Sequence, residues 1–117
     1  MRYCLALDLN EDLALIAEYE QWHKNVWPEI RESIKASGIT EMEIYRTGNR
    51  LFMIMETDAS FLFSRKAAMD AADAKVQEWE SLMWKFQKPL PWAMEGEKWI
   101  LMNKIFELEQ HTLGNNY

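Results

Sequence analysis

The chain has 117 residues, 49% of them hydrophobic and 27% charged, with only four Gly and three Pro, a balance that excludes a disordered chain and leaves room for one core. Its formal charge of −6 opposes binding to a phosphate backbone, and no apolar stretch approaches the ~20 residues of a membrane span. One cysteine, Cys4, cannot form an intrachain disulfide and is expected as a small core residue in a reducing, cytoplasmic setting.

Tyr3 to Leu9 reads as a strand ended by Asn10, with too short an apolar run for a signal sequence. Asn10 or Asp12 is placed to cap the following helix, with acidic residues in its first turn. That helix is expected to run to about Val26. Ile16, Tyr19, His23, Val26, Trp27, Ile30 and Ile34 then fall on one face at about 100° per residue. His23 therefore points toward the core, with a phenol one turn before it and an indole one turn after. An imidazole titrates near neutrality, so among aromatic walls it suits acid/base chemistry on a small neutral molecule. The same placement also fits a hydrogen-bonded core histidine. Pro28 disfavours α geometry at Trp27 but is well suited to begin a renewed helix, so a kink is expected near Asn25 to Trp27. Gly38 closes this second segment.

A hairpin follows, Met42–Arg46 and Leu51–Glu56 flanking Thr47-Gly48-Asn49-Arg50, with Gly and Asn where positive φ is wanted. Asp58 or Ser60 is expected to start a short helix through about Met69. Asp73 is positioned to cap another, carrying Val76, Trp79, Met83 and Phe86 on one stripe. Lys88-Pro89-Leu90-Pro91-Trp92 breaks that helix, and its loop is a candidate lid or dimer contact. A last strand is expected over Trp99–Leu108. The domain is read as 1–108, with a polar tail over 109–117.

The order βαββαβ is the ferredoxin-like α+β unit, a four-stranded antiparallel sheet with helices on one face. The other face is left bare with large apolar residues, so two copies are expected to pack sheet to sheet as a homodimeric α/β barrel.

The string Tyr19-x-x-x-His23-x-x-x-Trp27-Pro28-Glu29, with the Gly38 helix end, the Ile44-Tyr45 strand and the helix holding Trp79, resembles the L-rhamnose mutarotase family from Arg2 to about Leu108. The resemblance implies a small dimeric α/β barrel that interconverts the anomers of 6-deoxy sugars. It implies His23 as the proton-transferring residue, Tyr19 as a sugar contact and Trp79 as the first of a Trp-Trp pair packed on the sugar. The chain departs from the pattern twice. Glu80 stands in place of the second Trp, and Met42 in place of a second sugar-contacting tyrosine. The reaction type is thereby kept while the sugar is put in question, with L-fucose the alternative to L-rhamnose.

Mutarotation needs a proton given to the ring oxygen and one removed from the anomeric hydroxyl, with no cofactor. His23 suits one role; Tyr19, Glu29, Glu56 and Glu80 are candidates for the other. Each of these glutamates equally fits a solvated surface, and Trp79 equally fits core packing. His23 and His111 are the only histidines, so metal binding is poorly supported. The expected partner is a small neutral monosaccharide, not nucleic acid or membrane. A cofactor-free monooxygenase, a haem-degrading protein and a non-enzymatic ligand-binding dimeric barrel are the competing readings.

Overall fold

The computed structural model describes residues 1–109. The expected polar tail, from residue 110 onward, lies outside the described residues. The elements run β1 (Arg2–Leu9), α1 (Leu13–His23), α2 (Pro28–Ala36), β2 (Ile39–Thr47), β3 (Arg50–Thr57), α3 (Phe63–Ala72), α4 (Ala74–Trp84), β4 (Gln87–Lys88) and β5 (Ile100–Leu101). The sheet order is β2-β3-β1-β4, with β5 also on β1, and every pairing is antiparallel. This is the ferredoxin-like α+β arrangement expected from the element order.

Local chemistry sets most of the boundaries. Of the two expected caps for α1, Asp12 takes the role, its Oδ1 accepting from Ala14 N at 2.9 Å and Leu15 N at 3.1 Å. No acidic residue lies in that first turn, because Glu11 falls before the cap. The helix ends at His23 rather than Val26, and the expected kink is a full break. Trp27 sits at φ −54°, ψ 136°, the extended geometry that a residue before proline favours, and Pro28 opens α2. Gly38 follows α2 at φ +101°, and a Cβ there would lie 2.7 Å from Asp58 Oδ1 and 2.8 Å from Ser60 Oγ. Both the dihedral and the space demand glycine.

The hairpin turn narrows to Gly48-Asn49, with Thr47 opposite Arg50. Only Gly48 takes positive φ, at +56°, so the expectation of positive φ at Asn49 is corrected. α3 starts at Phe63, later than Asp58 or Ser60, because Asp58 Oδ1 is spent on Ser60 N (2.9 Å) and Ser60 Oγ (2.6 Å) in a local turn. Asp73 caps α4 as expected, accepting from Lys75 N at 2.9 Å and Val76 N at 3.3 Å.

The fourth sheet position differs most from expectation. Gln87–Lys88 pairs with Asp8 and Leu9 and stops at Pro89, which has no N–H to donate. The expected strand over Trp99–Leu108 shrinks to Ile100–Leu101, opposite Ala6 and Leu5, with Met102 N donating to Cys4 O at 2.8 Å. Continued residue by residue, this register puts Lys104 opposite Arg2. Nothing in β1 is then left for Ile105, Phe106 and Leu108, which are exposed.

Alternation in the strands separates the two sheet faces. Leu5, Leu7, Leu51, Met53 and Met55 are buried under the helices, together with Tyr19, Ile30, Val76, Trp79, Met83 and Phe86. The intervening Cys4, Ala6, Phe52 and Ile54 are half-buried and lie on the face away from them.

Candidate active site

Between the helix-side face of the sheet and the four helices lies a cavity of about 520 Å³. Its sheet wall is apolar, built from Leu5, Met42, Ile44, Met53 and Met55. The helices add Tyr19 and His23 from α1, Ile30, Ser33 and Ile34 from α2, Lys66 and Asp70 from α3, and Trp79, Glu80 and Met83 from α4. Gln87 of β4 and Lys98-Trp99 from the loop before β5 complete it. The five residues that the family resemblance marks, His23, Tyr19, Trp79, Glu80 and Met42, line this one cavity.

His23 sits at the last position of α1, where its Nδ1 lies 2.9 Å from the carbonyl oxygen of Tyr19. A carbonyl only accepts, so Nδ1 carries the hydrogen and neutral His23 keeps its lone pair on Nε2. The imidazole packs 4.4 Å from the Tyr19 ring and 5.9 Å, edge-on, from Trp79, measured between ring centres. Trp79 in turn meets Trp27 at 5.0 Å and Trp22 at 6.4 Å, so it is at once core and cavity wall.

Tyr19 is buried, and its hydroxyl oxygen accepts from Gln87 Nε2 at 3.3 Å. Burial pushes the phenol up to about 12, against the opposing pull of the Gln87 hydrogen bond. It is therefore a neutral hydrogen-bond donor across the physiological range.

Glu80 is not a free acceptor. Its carboxylate is paired with the ammonium of Lys98, whose Nζ also lies 4.8 Å from the centre of the Trp84 ring. A second ion pair, Lys66–Asp70 at 2.6 Å, borders the same cavity.

Two candidates for the second acid/base lie elsewhere. Glu29 is exposed near the start of α2 and borders a different depression with Glu32 and Lys75. Glu56 pairs with Arg2 at 2.8 Å. Tyr19 and Glu80 remain at the cavity. Trp92 is not among its walls; this exposed indole packs on the Arg50 guanidinium at 5.2 Å.

Gln87, Lys98 and the Lys66–Asp70 pair escaped the sequence reading. Gln87 meets Tyr19 across 68 positions, which no local spacing signals. Lys66 and Asp70 are four apart on α3, a spacing that by itself reads as an ordinary surface pair. Among the described residues no group of three or more His, Cys, Asp or Glu is arranged to hold a metal ion, and no helix is long and apolar enough to cross a membrane.

An apolar cavity with a few convergent polar groups and two ion pairs at its wall, under an antiparallel ferredoxin-like sheet, defines a small-molecule site. A family model described as L-rhamnose mutarotase matches residues 2–108. An L-fucose mutarotase of Xanthomonas campestris pv. campestris is 49% identical over 111 residues, 93% of this chain and 89% of that protein. Among solved structures, an L-rhamnose mutarotase from Formosa agariphila superposes with a TM-score of 0.68 at 20% identity, over 93% of this chain and 99% of that one. Tetracenomycin F2 cyclase of Streptomyces glaucescens, a type-II polyketide cyclase, superposes at 0.59 with 14% identity over 94% and 98%. The fold alone thus serves more than one chemistry. The chain belongs to the L-rhamnose mutarotase family and is a carbohydrate isomerase.

Proposed function

We propose that this protein interconverts the α and β anomers of a 6-deoxy-L-hexose, with L-fucose the leading substrate and L-rhamnose the alternative. The observation that carries the mechanism is the 2.9 Å contact from His23 Nδ1 to the Tyr19 carbonyl, which leaves Nε2 basic inside the cavity. His23 Nε2 takes the proton from the anomeric hydroxyl as the C1–O5 bond opens. The imidazolium so formed returns that proton to the ring oxygen, which shares C1 with the anomeric hydroxyl, as it leaves that carbon, while the neutral Tyr19 hydroxyl binds the sugar. Rotation about C1–C2 and the reverse proton movements close the ring on the other face. A positioned acid/base of this kind contributes about 10²–10⁴-fold, and the reaction needs no cofactor.

Trp79 and the Met42, Met53 and Met55 side chains offer an apolar wall for the C–H face and 6-methyl group of the sugar. Glu80 and Lys98 together present an acceptor and a donor, which suits sorting of hydroxyls. L-fucose is favoured because Met42 and Glu80 replace two aromatic sugar contacts and because the 49% identical relative is an L-fucose mutarotase.

The working unit is a homodimer of one domain, residues 1–108, packed through the bare sheet face. The half-buried apolar residues Cys4, Ala6, Phe52 and Ile54 on that face support this assembly. Anomer exchange measured by NMR on L-fucose, L-rhamnose and other neutral hexoses tests the reading. Sugar binding without enhanced exchange would leave only a binding barrel.

A further inference from the structure

Gln87 is a buried amide with one end unspent. The residue is only 6% exposed, and its Oε1 has no hydrogen-bond partner among the described residues. Folded proteins rarely leave a buried carbonyl without a donor, so an unpaired acceptor on a cavity wall marks a place for one. Gln87 is on that wall. Its backbone is fixed there by β4, which pairs Gln87 with Leu9, and by the preceding Phe86 carbonyl, which accepts from Asn10 N at 2.9 Å. The amide is thus held on a short anchored strand rather than on a mobile loop.

Its other end is already engaged, Nε2 donating to the Tyr19 hydroxyl oxygen at 3.3 Å. That bond occupies an acceptor position on Tyr19 and leaves the phenol proton free to point elsewhere. Tyr19 O–H and Gln87 Oε1 are thus a donor and an acceptor on two hydrogen-bonded side chains of the same cavity wall. A sugar hydroxyl both accepts and donates, so a single hydroxyl can bridge the two. A methyl group, an ether or a hydrogen at that carbon cannot. Neither group bears a formal charge, which matches a neutral polyol.

We propose that Gln87 is a sugar-binding residue: its Oε1 accepts from one ring hydroxyl that in turn accepts from Tyr19, so that the pair selects the configuration at one carbon. The proposal rests on the mutarotase reading above. It concerns a residue that neither the His23 chemistry nor the Glu80 and Met42 departures require.

The test crosses protein and substrate. Anomer exchange is measured for the wild type and for Gln87→Met, which keeps length and removes both polar atoms, on L-fucose and its monodeoxy analogues. Thermal melting checks the fold. We expect the variant to raise KM for L-fucose about tenfold while changing kcat less, the loss of one buried hydrogen bond. For one monodeoxy analogue, the one lacking the bridged hydroxyl, wild type and variant should have nearly equal KM. Gln87→Asn keeps an amide but withdraws it by one methylene, and should show the same analogue dependence if Gln87→Met does not fold. An unchanged KM, or an equal loss on every analogue, overturns the assignment while the mutarotase reading stands. A wild type that accelerates exchange of no sugar overturns both.

Discussion

The His23 imidazole is hydrogen-bonded to its own helix: Nδ1 meets the Tyr19 carbonyl one turn back at 2.9 Å, while the Tyr19 side chain reaches Gln87 at 3.3 Å. One residue thus orients the imidazole through its backbone and supplies a phenol through its side chain.

Tyr19 should resist ionisation. Its folded value is about 12 against 10 in the unfolded chain, because burial disfavours the phenolate. The unfolded state then binds fewer protons than the folded one between these values, so folding stability falls as pH rises from 10 to 12 and is unaffected by Tyr19 below that window. The loss is on the order of 2–3 kcal/mol. Absorbance titration near 295 nm should show a late-ionising tyrosine that Tyr19→Phe removes. Normal ionisation of all tyrosines in the folded protein would count against its burial.

Gly38→Ala should destabilise the fold by roughly 1–3 kcal/mol or more, because alanine at φ +101° is strained and its Cβ would press on Asp58 and Ser60. Denaturant melts read this directly. A change below ~0.5 kcal/mol would mean that the α2–β2 junction relaxes freely.

The open sheet face should hold two copies together. Sedimentation at micromolar concentration is expected to give about twice the 13.9 kDa chain mass, with an interface burying on the order of 1,200 Å² or more. Ile54→Asp, which puts a carboxylate at the centre of that face, should yield monomers. A wild type that sediments as a monomer would remove the sheet-to-sheet barrel.

Sugar preference should follow the Glu80–Lys98 pair. Wild type is expected to exchange L-fucose faster than L-rhamnose. Glu80→Trp alone takes the carboxylate partner from the largely buried Lys98 ammonium, which lies beside the Trp84 ring. Glu80→Trp combined with Lys98→Ala should therefore move the ratio further toward L-rhamnose than Glu80→Trp alone. Equal ratios in all three proteins would make the pair irrelevant to specificity.

The parts legible in sequence were those written in local chemistry. The Asp73 cap, the Pro28 helix start and the Gly38 stop each depend on a few adjacent residues, and each is where the spacing placed it. The helical stripe put Tyr19 and His23 on one wall for the same reason. The short fourth and fifth strands were not legible: β4 stops at Pro89, which has no N–H to donate, and β5 pairs just Ile100 and Leu101 with Ala6 and Leu5 although β1 extends to Arg2. Gln87 and Lys98 were hidden because their partners, Tyr19 and Glu80, are 68 and 18 positions away. Glu29 shows the converse. It closes the most specific string in the chain, yet it sits on an exposed turn of α2, away from the cavity.

Exchange spectroscopy on L-fucose with wild type and His23→Ala decides whether His23 carries the proton. Wild type should accelerate α–β exchange well above the spontaneous rate, and folded His23→Ala should lose about 10²-fold or more, with His23→Gln equally impaired. A folded His23→Ala protein that exchanges the anomers at a near-normal rate would remove His23 from the proton transfer and return it to the core as a packing residue.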